Sequence, residues 1–115
     1  MEKTIDLTPF IGSENAYKSC IFAPAMRHTD GVEFFCNEAG AFWFLDIVAT
    51  EYFNLQKKYP FMSITLSVIN EKATISVEDG DNNTIATKKI EYTDCPSGAY
   101  GFFLIDNMMM LKREY

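Results

Sequence analysis

Two periodicities meet at Pro60: apolar residues recur with helical spacing before it and alternate with polar ones after it. Placing residues 39–55 at 100° per step gathers Ala41, Phe44, Leu45, Val48, Tyr52 and Leu55 in one arc, which Phe42, Ala49 and Phe53 widen towards half the circumference. That width predicts a heavily buried helix. Asn37 is its expected cap, and it ends before Tyr59-Pro60, because proline disfavours helical geometry in the residue before it. A shorter helix over 31–37 is predicted from Asp30-Gly31-Val32-Glu33, which has the form of a capping box in which Glu33 reaches back to the cap amide. Trp43 and Ile47 fall outside the buried arc, among Asp46, Thr50, Glu51 and Asn54. The expectation is that the N-terminal segment covers them; the alternative is an apolar patch for a partner or for self-association.

After Pro60, Met62, Ile64, Leu66 and Val68 alternate with Ser63, Thr65 and Ser67, as in a half-buried strand. Ala73, Ile75 and Val77 predict a second strand, Ile85 to Ile90 a third, Tyr100 to Ile105 a fourth and Met108 to Leu111 a fifth. Short links rich in turn residues, Asn70-Glu71, Asp79 to Asn83 and Asp106-Asn107, predict antiparallel neighbours. Residues 1–28, broken by Pro9, Gly12 and Pro24, read as a covering segment anchored by Phe10, Ile11, Tyr17, Ile21 and Phe22. The expected fold is α+β: one domain over residues 1–115, with the covering segment and two helices on a four- to five-stranded antiparallel meander.

Charge narrows the partners. Ten Lys and Arg against sixteen Asp and Glu leave a net charge of -6, which argues against direct nucleic-acid binding by phosphate neutralisation. Between Arg27 and Lys57 there is no basic residue, while Asp30, Glu33, Glu38, Asp46 and Glu51 all fall there. This stretch is either a solvated helical face or an anionic surface meeting a basic groove. Cys20, Cys36 and Cys95 are odd in number and widely spaced, which suits a reducing, cytoplasmic setting, and the acidic start does not read as a signal peptide. The longest uncharged run, Tyr59 to Asn70, is twelve residues, against about 20 for a membrane-spanning helix.

Candidate chemistry is sparse. Asp79-Gly80-Asp81-Asn82-Asn83-Thr84 opens like a calcium loop but has Thr84 where glycine is needed and Ile90 where glutamate is needed, so a hairpin turn is expected. His28 is the only histidine, which excludes multi-histidine zinc sites. A nucleophilic pair can be assembled from His28 and a cysteine, and the enzymatic alternative is a small hydrolase or transferase using Asp30, Asp94 and His28. The Thr-Asp pairs at Thr29-Asp30 and Thr93-Asp94 are also what caps and turns require. No glycine-rich phosphate cradle is present, since Gly98-Ala99-Tyr100-Gly101 lacks the required ending. Met108-Met109-Met110 reads as strand, with a flexible partner surface as the alternative.

The order of motifs resembles a bacterial family of small proteins of unknown function. The matching pieces are Gly12-Ser13-Glu14 with Tyr17-Lys18, Thr29-Asp30-Gly31-Val32, Glu38 to Asp46, Ile90 to Pro96, and Leu111-Lys112-Arg113-Glu114-Tyr115. The chain departs from that pattern in having Ser19 where a histidine is expected and Cys95 where an aromatic residue is expected. The resemblance implies an accessory or anti-defence role of the kind carried by mobile elements and phages.

The resulting expectation is a non-enzymatic acidic module, without cofactor or metal, that binds a larger basic protein through Glu33, Glu38, Trp43, Asp46 and Glu51. Its concrete form is an inhibitor of a bacterial defence nuclease such as a CRISPR effector. A homodimer through Trp43, Ile47 and the methionine run is a further possibility.

Overall fold

The computed structural model describes residues 16–19 and 25–115. The anchors expected at Phe10, Ile11, Ile21 and Phe22, the breakers Pro9, Gly12 and Pro24, and Cys20 lie outside the described residues.

Alternation builds the central strands. In β3, Phe61–Ile69, the even-numbered residues Met62, Ile64, Leu66 and Val68 are buried and the odd-numbered ones are not. β4 (Lys72–Glu78), β5 (Thr84–Ile90), β6 (Gly98–Ile105) and β7 (Met108–Leu111) complete the five strands expected after Pro60. Asn70-Glu71 and Asp106-Asn107 each hold both residues at positive φ, the mirror-image turn that matches the twist of a two-residue hairpin. Asp79 accepts backbone N–H bonds from Asp81 and Asn83, so the loop that opens like a calcium site is a hairpin turn.

Three features depart from the expected meander. Among the described residues the sheet has seven strands in the order β1-β2-β7-β6-β3-β4-β5, because Ala16–Lys18 (β1) and Arg27–Thr29 (β2), placed in the covering segment by sequence, extend its edge. β2 runs parallel to β7, so the sheet is mixed. Strand β6 also lies beside β3 and not beside β5, paired from Phe61 with Ile105 to Val68 with Gly98. The order β6-β3-β4-β5 is a Greek key. The buried alternation of Phe102 and Leu104 matches a central position, whereas β5, carrying Lys88 and Lys89, suits an edge. The link over residues 91–97 passes the end of the β3–β4 hairpin, held where the Thr93 N–H donates to the Glu71 carbonyl at 2.8 Å.

The helices also shift. α1 spans Asp30–Ala39, so Asn37 lies inside it instead of capping the next helix, and its amide donates to Glu33. Gly40, at φ 63°, ends α1 in the left-handed conformation that glycine adopts without steric cost. α2, Phe42–Ile47, continues into a π turn, Val48–Tyr52, and a 3-10 turn, Phe53–Lys57. There the Thr50 hydroxyl donates to the Asp46 carbonyl at 2.8 Å, a back-bond that loosens a helical ladder. Phe35 of α1 and Phe44 of α2 meet Phe102 of β6 at ring-centroid distances of 5.4 and 5.1 Å, joining both helices to the sheet. Phe42, expected in the buried arc, is 40% exposed, while Trp43 and Ile47 are half-buried against the core.

The cap of α1 comes from the other end of the chain. Thr29, not Asp30, is the N-cap, accepting from the Val32 N–H. Its hydroxyl donates to Glu114 Oε1 at 2.6 Å, and the same carboxylate accepts from Leu111 N at 2.8 Å and Gly31 N at 3.3 Å. A carboxylate is favoured there because the helix N-terminus presents unpaired N–H groups and a partial positive charge. A Cβ on Gly31 would lie 2.6 Å from both Glu114 Oε1 and Leu111 Cδ1. Gly31→Ala should therefore cost about 2 kcal/mol despite alanine's better helix propensity, and less in a Glu114→Ala background. Urea unfolding of the four chains checks this; an equal cost in both backgrounds contradicts the contact.

Candidate functional site

The Glu114 anchor sets the corner where β1, β2 and α1 meet. Tyr17 pairs with His28 across β1 and β2, and Ser19 N donates to Met26 O just beyond. His28 points to the helix side, is 2% exposed, and bonds through both ring nitrogens. Its Nε2 lies 2.7 Å from Glu33 Oε1 and its Nδ1 lies 2.9 Å from Ser19 Oγ. Glu33 therefore meets a buried ring and not the cap amide expected from sequence. Tyr17 stacks on His28 with centroids 5.5 Å apart and donates its hydroxyl to Asp30 at 2.8 Å. That bond to a carboxylate holds the Tyr17 phenol above its ordinary pKa.

Asp94 belongs to another neighbourhood. It accepts from the Tyr92 hydroxyl at 2.7 Å in the 91–97 link, while Cys95 N donates to Thr93 Oγ1. His28 pairs with Met109, level with Met62 on β3, whereas the link enters β6 opposite Val68. Six strand positions separate those levels, roughly 20 Å. The structure thus brings His28 near Asp30 but places Asp94 at the other end of the sheet.

Of the residues expected to meet a partner, Glu38, Asp46 and Glu51 are exposed, Trp43 is half-buried with its ring 6.2 Å from Phe44, and Glu33 is engaged with His28. Glu51 forms a 3.2 Å ion pair with Lys88 of β5. Such an exposed pair contributes little to stability. Met109 is buried, whereas Met108 and Met110 are half-buried on the open face of the sheet. There Tyr115 packs edge to face on Phe61 and Phe103, which lie tilted against each other, with Lys112 over the Phe103 ring. No helix among the described residues is long and apolar enough to cross a membrane.

The polar corner joins two of the motifs quoted above, Thr29-Asp30-Gly31-Val32 and Leu111 to Tyr115, through Glu114. A family model matches the chain over residues 1–115. The chain belongs to DUF6876, a family of unknown function. No curated protein and no solved structure matches it. For this DUF6876 chain, Ser19 is the residue that the sequence reading left without a role. Its one signal was the two-residue alternation of Tyr17 with Ser19 and of Met26 with His28, which puts all four on one face only once β1 and β2 pair.

The described cysteines are poor nucleophiles. Burial pushes the Cys36 thiol up to about 12, with Glu33 adding to it, and burial raises Cys95 to about 11. Both should resist iodoacetamide at pH 8 in the folded chain and react after denaturation. Peptide mapping separates them from Cys20, and prompt labelling of Cys36 in folded protein would contradict its burial.

Proposed function

We propose that this chain is a protein-binding module whose outer helix face docks on a basic surface of a larger protein. An inhibitor of a bacterial defence nuclease, such as a CRISPR effector, is its concrete form. The carrying observation is the exposed strip of α2, where Phe42 stands beside Asp46 in a stretch with no lysine or arginine between Arg27 and Lys57. Glu38 and Glu51 extend the acidic character to either side, and half-buried Trp43 and Ile47 add apolar area. Aromatic groups supply much of the affinity at protein interfaces, while complementary charge sets approach and orientation. A nucleic acid would meet like charge on this strip, whereas the phosphate-binding channel of a nuclease presents the opposite charge.

The tests use purified protein throughout. A partner captured from bacterial lysate at low salt and released at high salt is purified and titrated with the chain. Glu38→Lys/Asp46→Lys/Glu51→Lys should weaken binding at least about tenfold, as should Phe42→Ala. If the captured partner is a guided nuclease, the chain should block its cleavage of target DNA. Unchanged affinity in the folded triple variant would overturn the docking face.

A further inference from the structure

Three groups stand in line at the β1–β2–α1 corner: the Ser19 hydroxyl, the His28 ring and the Glu33 carboxylate, separated by 2.9 and 2.7 Å. An ionised carboxylate only accepts hydrogen bonds, so Glu33 places the proton of a neutral imidazole on Nε2 and leaves a lone pair on Nδ1. In that tautomer the lone pair faces the Ser19 hydroxyl, 2.9 Å away, and can accept its proton. We propose that Ser19 is a nucleophile towards carboxylic esters and thioesters, with His28 as its general base and Glu33 as the residue that positions the base.

The arrangement has the parts that activate a serine: a hydroxyl within hydrogen-bond reach of a base, and a third group that holds the base in one tautomer. The ring stands the other way round from the best-known serine enzymes, with the acid on Nε2 and the serine on Nδ1. Either ring nitrogen can take the proton. His28 is shielded from solvent, with Tyr17 stacked against its ring, and Tyr17 is itself fixed by its bond to Asp30. Ser19 and Glu33 are half-buried, so the hydroxyl lies at the rim of the corner. An exposed serine such as Ser97 lies in the 91–97 link, far from the only histidine.

In the acylation step Ser19 Oγ bonds to the carbonyl carbon and its proton passes to His28 Nδ1. The bond from that carbon to the leaving oxygen or sulfur breaks, and the leaving group takes the proton from His28. Water then attacks acyl-Ser19, giving a proton to His28 that returns to the Ser19 oxygen as the acid departs. The balance is ester plus water to acid plus alcohol, or thioester plus water to acid plus thiol. Imidazolium formed in either step is stabilised by Glu33. This chemistry is independent of the docking face, whose acidic strip can be reversed in charge without touching Ser19 or His28.

The experiment treats the full chain with p-nitrophenyl acetate and a fluorophosphonate, follows p-nitrophenolate release, and maps adducts by peptide mass spectrometry. Modification should concentrate on Ser19 over Ser97 and vanish in Ser19→Ala. Glu33→Gln, at a half-exposed position, should slow acetylation about 100-fold with the fold retained by circular dichroism. Absence of a Ser19 adduct in the folded chain would overturn the proposal, and so would equal rates for Ser19 in the unaltered and Glu33→Gln chains. Unchanged partner affinity in the folded Glu38→Lys/Asp46→Lys/Glu51→Lys variant, with Ser19 acylation intact, would count against the docking face alone.

Discussion

The carboxylate of Glu114 at the N-terminus of α1 organises this molecule. It accepts from Thr29, Gly31 and Leu111 at once, so one side chain joins the cap of a helix, the end of β2 and the end of β7. β2 and β7 run parallel, a pairing no short turn can make, and the anchor secures them beside each other. Gly31 follows from the same contact, since any larger side chain would occupy the carboxylate's space. With Thr29 held, His28 sits one residue away, under α1 and within reach of Glu33.

On that frame the two sides of the sheet take different tasks. The helix side buries Phe35, Phe44, Phe102, Leu104 and the even-numbered residues of β3, so packing is concentrated there. The open side carries a lane of Ser63, Thr65 and Ser67 and ends in the aromatic cluster around Phe103. Glu38 and Asp46 are exposed on the outside of the helix layer. Lys112 lies over the open side, and Lys88 meets Glu51 at the sheet edge.

The hydrophobic pattern reached far but not across the chain. The five strands after Pro60 were legible because alternation in β3 and β4 is uninterrupted and the turn residues Asn70-Glu71 and Asp106-Asn107 mark hairpins. The second helix was legible in its buried arc from Ala41 to Tyr52, but not in its register. The π turn at Val48–Tyr52 rotates later residues relative to a uniform 100° step, leaving Leu55 only half-buried. The capping box failed because Glu33 found a stronger partner in His28 and because Thr29 and Glu114 supply the cap.

What the sequence determines alone is local: the helical and stranded halves, hairpin position, the acidic stretch and the core-facing residues of β3 and β4. These depend on neighbours two to five positions apart, and the pattern of side chains encodes them directly. Tertiary structure decided the Greek key order, the two extra edge strands, the Glu114 anchor and the Ser19–His28–Glu33 line. Each joins groups whose separation in sequence carries no periodic signal, 83 residues in the case of Gly31 and Glu114. Only the closing of the sheet on its helices makes them neighbours.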